Sequence, residues 1–124
     1  MTDFAQLLSV VPVSDFDVSH AWYERLFARP ADNVPMPGLL AEWRVADSGW
    51  VQVSLDAERA GHTMLNFAED DLHGPRERLA AAGFEQEDVV EANRGVRLSA
   101  IVDPDGNRLT FIGGFREEYF GDEG

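Results

Sequence analysis

Asp103-Pro104-Asp105-Gly106-Asn107-Arg108-Leu109-Thr110-Phe111 is the stretch on which the reading of the fold turns. Pro104 presets a turn dihedral and Gly106 accepts positive φ, so the first half reads as a tight reversal. After it, Leu109 and Phe111 alternate with Thr110, the period of a strand with one buried face. Val96 to Val102 alternates in the same way on the other side, which makes the stretch the turn and return of a hairpin. Asp103, Asp105 and Asn107 have the look of calcium-loop acids. No twelve-residue loop ending in a bidentate glutamate contains them, so they are read as structural.

Outward from this hairpin the chain repeats itself. Leu7 to Val13 alternates as a strand, and Ser14-Asp15-Phe16-Asp17 supplies helix-start chemistry before an apolar stripe of Val18, Trp22 and Leu26. Pro35, Pro37 and Gly38 mark a loop, and strands follow over Leu39 to Val45 and Trp50 to Leu55 about the turn Asp47-Ser48-Gly49. The second half reads strand Thr63 to Ala68, then a short helix opened by Gly74-Pro75 and closed by Gly83. Strands near Phe84 to Glu91, Val96 to Val102 and Leu109 to Ile112 complete it. The period is about 55 residues, far longer than a helical solenoid uses. Such β-α-β-β repeats fix an α+β class without fixing its topology.

Composition narrows the function. The 124 residues suit one domain with a real core, and hydrophobic residues make up 44% of them. With no cysteine, disulfides, thiolate zinc sites, iron–sulfur clusters and a cysteine nucleophile are excluded. Asp and Glu number 23 against 10 Lys and Arg, a net charge of -13, so nucleic acid and anionic membrane are not expected partners. There is no apolar run of membrane-spanning length, and Met1-Thr2-Asp3 does not open a secretory signal, so a cytoplasmic protein is expected. Ser54 and Ser99 lack a nucleophile-elbow context, and no Gly-rich phosphate motif occurs. No catalytic residue is assigned.

Three segments carry a family resemblance: Val11 to Phe27 with Asp15 and Trp22-Tyr23, Met64 to Gly83, and above all Asp103-Pro104-Asp105-Gly106-Asn107. Together they resemble the vicinal oxygen chelate superfamily, which includes glyoxalase I, bleomycin-resistance proteins and extradiol dioxygenases. The resemblance implies a single domain of two tandem βαβββ modules, about 4–56 and 62–113 with a tail at 114–124, whose curved sheets form a cupped cavity. It also implies a homodimer.

Metal-using members place His, Gln or Glu on the first strand of each module and Glu on the last strand. Here those positions fall on Leu8, Met64 and Thr110, which do not suit a hard divalent cation. No metal or other cofactor is therefore expected. The alternative is a glyoxalase-like lyase, isomerase or dioxygenase whose metal site is either rearranged, on His62, Glu42 and Gln52, or absent, a metal-independent isomerase or lyase then using Glu42 or His62 as base. His20 and His73 are read as solvent-facing.

Alternation sorts the strands into an apolar face, with Val51, Val53, Leu55, Leu65, Phe67, Val96, Leu98, Ala100, Val102, Leu109 and Phe111, and a mixed one. From the mixed face Glu42, Trp50, Gln52, Ser54, Met64, Asn66, Arg97, Ser99 and Thr110 are the expected ligand-binding residues, joined there by Arg44, Ile101 and Ile112. A mixture of apolar walls and a few polar groups suits a small organic molecule. The acidic surface favours a cationic or aromatic one, so the expectation is a metal-free binding protein that sequesters such a metabolite or drug. Trp43 and Trp22 are expected in the core. Phe115, Tyr119 and Phe120 are expected to cover a sheet edge or a dimer seam.

Overall fold

The computed structural model describes residues 4–114; the aromatic tail named above lies outside the described residues. The chain divides into two compact units. The first runs to Thr63 and includes Asp103–Asn107, and the second comprises Met64–Val102 and the segment from Arg108. Each carries one four-stranded sheet, and the two sheets have the same strand order.

In the first unit, β1 (Leu7–Val13) leads into α1 (Phe16–Phe27), then β2 (Asn33–Met36), β3 (Leu40–Ala46) and β4 (Gly49–Leu55). The sheet order is β1-β4-β3-β2, with β1 parallel to β4. A parallel pair needs a crossover, and α1 provides its helical part. Asp15 caps α1 by accepting from the Val18 N–H at 3.2 Å, and Ala28 closes it at φ 57°. The buried stripe of α1 is Phe16, Ser19, Tyr23 and Leu26. This corrects the expected Val18, Trp22, Leu26 stripe: Val18 is 51% exposed and Trp22 is half-buried. β2 was hidden by its proline, which reads as a loop but is tolerated on an edge strand, where one row of N–H groups has no ladder partner to lose. Val11, Val13, Ala41, Trp43 and Val53 are fully buried between helix and sheet. The Trp43 indole donates to the Arg29 carbonyl at 3.0 Å, so the expected core tryptophan keeps its one polar atom satisfied.

The 103–107 turn is the polar keystone of this unit. Asp103 is buried and accepts from the Tyr23 hydroxyl at 2.7 Å, the Asn107 amide side chain at 2.8 Å, and the backbone N–H groups of Asp105 and Asn107 at 2.9 Å. Asn107 also donates to the Pro12 carbonyl at 3.0 Å and accepts from the Thr63 N–H at 2.9 Å. Asp105 receives the Ser14 N–H at 3.0 Å and the Ser14 hydroxyl. The polar side chains of the turn bind the end of β1, the start of α1 and Thr63 just before Met64, as the structural reading required.

In the second unit, β5 (Met64–Glu69) leads into α2 (His73–Ala81), then β6 (Val90–Glu91), β7 (Arg97–Val102) and β8 (Arg108–Gly113). The order is β5-β8-β7-β6, with β5 parallel to β8. α2 approaches the sheet closely at Gly113, where a Cβ would stand 2.9 Å from Leu72 Cγ. Leu72, Leu79, Phe84, Ile101 and Leu109 are buried, and Phe67 and Phe111 stack with centroids 5.3 Å apart. β6 is shorter than the expected 84–91 strand. The Glu87 N–H still bonds the Ala100 carbonyl at 2.9 Å, but the Glu87 carbonyl is taken by the Ser99 hydroxyl at 2.9 Å, so the regular ladder breaks there.

Candidate functional site

Register decides which side chains share a face. β7 and β8 pair about the turn so that Ser99 opposes Phe111 and Ile101 opposes Leu109, while Leu98 opposes Ile112, Ala100 opposes Thr110 and Val102 opposes Arg108. Directly opposed residues project to the same side. This corrects the expected faces of β7: Arg97, Ser99 and Ile101 lie with the core residues Leu109 and Phe111, and Leu98, Ala100 and Val102 lie with Thr110. Alternation misled because β7 is apolar on both sides. A signal was available, since a turn symmetrical about Asp105 fixes the pairing of every residue on either side.

The open face of the second unit carries a cavity of about 320 Å³. Asn66 and Thr110, which are register partners, supply hydroxyl and amide groups, and Val90, Leu98, Ala100 and Ile112 supply apolar wall. Glu87 and Arg108 also border it, bonded through both guanidinium nitrogens at 2.6 Å. Sequence reasoning missed both members of this pair. Ser99 borders the same cavity, yet its hydroxyl is engaged by Arg76 and the Glu87 carbonyl. Met64 opposes Arg108 on β5 and is 71% exposed.

On the first unit, β3 and β4 set Glu42 opposite Gln52, Arg44 opposite Trp50 and Leu40 opposite Ser54. Leu8 and Val10 of β1 register with Trp50 and Gln52. The Glu42 carboxylate accepts from Gln52 Nε2 at 2.6 Å and from Asn33 Nδ2 at 3.1 Å. It is held between two amides and half-buried. The Trp50 indole donates to Gln6 Oε1 at 2.7 Å. These expected residues form a second mixed patch, with an oriented carboxylate on Glu42 and an aromatic ring one register pair away on Trp50.

Neither patch suits a metal. Leu8 has no donor atom, the Met64 thioether is soft, and the Thr110 hydroxyl is a neutral oxygen, whereas hard divalent ions want imidazole and carboxylate. Among the described residues, no group of three or more His, Asp or Glu side chains is placed to hold an ion. Both Glu42 oxygens already serve amides, and His62 is exposed just before β5.

Electrostatic perturbation follows burial and hydrogen bonding, and among the shifted groups the Glu87–Arg108 pair borders the open-face cavity. Burial, reinforced by the neighbouring Asp103 carboxylate, drives the Tyr23 phenol far above its ordinary value, so Tyr23 stays a neutral donor. Glu87 is held below its ordinary value by the Arg108 hydrogen bonds, and Asp32 likewise by Arg29 and the Arg44 N–H. In each case the shift has a structural cause, burial or a fixed hydrogen bond.

A scan against protein-family models finds no match, and no curated protein sequence matches the chain. Solved structures do. A glyoxalase/bleomycin resistance protein from Catenulispora acidiphila is 26% identical with a TM-score of 0.81, over 89% of this chain and 98% of that one. Lactoylglutathione lyase from Agrobacterium tumefaciens is 20% identical with a TM-score of 0.74, over 90% of this chain and 94% of that one. A bleomycin-binding protein complexed with bleomycin is 21% identical with a TM-score of 0.71, over 88% of this chain and 98% of that one.

Proposed function

We propose that this chain, which has the fold of the vicinal oxygen chelate superfamily, is a metal-free binding protein for a small organic ligand, with a cationic or aromatic metabolite or drug as the preferred class. The observation that carries the reading is the face bearing Asn66 and Thr110: an apolar-walled cavity with a few polar groups, at a position where a hydroxyl stands in place of the last-strand carboxylate. Sequestration needs affinity alone, and the similar fold of a bleomycin-binding protein complexed with bleomycin supports the reading. Glu42, opposite Gln52, and Trp50, two residues along β4 and opposite Arg44, would offer a cation a carboxylate and an aromatic ring on one face. The net charge of -13 would raise the local concentration of such a ligand.

The reading includes a homodimer acting in the cytoplasm; no helix among the described residues is long and apolar enough to cross a membrane. Light scattering on the eluted protein tests the dimer. For the ligand, a thermal-shift screen of cationic and aromatic compounds is followed by calorimetry on Thr110→Val and Asn66→Ala. The expected result is a hit that both substitutions weaken about tenfold, or about 1.4 kcal/mol. Hits that bind both variants with unchanged affinity would overturn the site assignment.

A further inference from the structure

On the opposite side of the second sheet lies a different groove. Arg97 opposes Gly113, the glycine that lets the start of α2 approach, and this brings the Arg97 guanidinium beside α2. Arg97, Arg76, His73 and Glu77 border a groove of about 420 Å³ there, floored in part by Leu72 and Val89. None of its polar residues borders the cavity at Asn66 and Thr110.

The state of its arginines sets the groove apart. Four arginines of this strongly acidic protein have acidic or carbonyl partners, Arg29 with Asp32, Arg59 with Asp56, Arg108 with Glu87 and Arg44 with the Asp47 carbonyl, whereas the exposed Arg78 side chain has none among the described residues. Arg97 makes no hydrogen bond or ion pair among the described residues. Arg76 is fixed through one nitrogen to the Glu87 carbonyl and the Ser99 hydroxyl, and the rest of its fork takes no acceptor there. Glu77 is turned along the helix to His73, 3.4 Å away. The groove thus presents one anchored guanidinium and one free one, on a molecule whose overall field repels anions.

We propose that this groove is a binding site for a small organic anion, a phosphate ester or a carboxylate, separate from the ligand site of the open face. The net charge sets the selectivity: a singly charged ion gains too little from one guanidinium to overcome the field, whereas a group that bridges both forks gains from each. Affinity is expected to fall with ionic strength, because the groove is open to solvent.

The test is a titration of isotopically labelled protein with pyrophosphate and with citrate at fixed ionic strength, with sodium chloride as control, reading the arginine side-chain N–H signals and the amides of residues 72–77 by NMR. Saturable shifts at Arg76 and Arg97, a loss of affinity of about tenfold or more in Arg97→Ala, and unchanged binding in Arg78→Ala, an exposed arginine outside the groove, are expected. Shifts that chloride reproduces, or an Arg97→Ala protein that is folded by circular dichroism and binds as tightly as the parent, would overturn the site. Because Asn66 and Thr110 report the open face separately, failure here leaves the reading of that face intact, and failure there leaves this one.

Discussion

Asp103 shows how much a single side chain can organise. The residue is 4% exposed, and its carboxylate gathers donors from Tyr23, Asn107 and the turn backbone. Asp103→Ala leaves those donors buried without a partner, and each such group costs about 1–3 kcal/mol, so a loss of more than about 3 kcal/mol is expected in urea unfolding. Tyr23→Phe removes one bond and is expected to cost about 1–2 kcal/mol. Ser19 is the opposite case: its hydroxyl is fully buried without a hydrogen-bond partner among the described residues. Ser19→Ala removes that unpaired group and improves helix propensity, so a gain of roughly 1 kcal/mol is expected by the same measurement. The keystone role of the turn was legible in its residue types. The orphan hydroxyl was not, because Ser19 becomes a core residue only once the stripe of α1 is seen to be Phe16, Ser19, Tyr23 and Leu26.

At the scale of elements, α1 ends on a non-glycine residue in the left-handed region, Ala28 at φ 57°. Ala28→Gly relieves a clash worth about 1–2 kcal/mol and adds backbone freedom to the unfolded chain, so a net gain of up to about 1 kcal/mol is expected in thermal unfolding. The bridge from β8 to the segment before β6 answers to acid. Glu87 titrates below its ordinary value because Arg108 stabilises its charged form. The pair therefore contributes fully above the ordinary carboxylate range, and its contribution is lost as pH falls through the lowered value. A carboxyl-carbon NMR titration is expected to show a Glu87 midpoint below 4.5 that returns toward 4.5 in Arg108→Gln. Strand existence was legible from alternation, and Trp43 was correctly read as core. The register of β7 was not read, since both of its faces are apolar and only the pairing with β8 separates them.

At the scale of the whole molecule, the decisive observable is the response to metal. Leu8, Met64 and Thr110 offer no hard-ligand set, so nickel, zinc, manganese and ferrous iron are each expected to leave the melting temperature unchanged, and protein purified without chelator is expected to carry no stoichiometric metal. Metal that stabilises the protein and is lost in Glu42→Gln or His62→Ala would restore the rearranged-site alternative. By itself the sequence determined the α+β class and the tandem repeat, because these follow from local periodicity and turn chemistry; the unsuitability of Leu8, Met64 and Thr110 for a metal came from the family resemblance together with residue identity. The sequence also placed Asn66 and Thr110 on the open face and Glu42 beside Gln52. Only the tertiary structure decided that Arg97 and Ser99 turn toward α2, that Glu87 and Arg108 close on each other at the cavity, and that Arg76 and Arg97 share a groove. Those facts depend on which strand lies beside which and in what register. A chain whose strands are apolar on both faces does not encode its register in any single segment.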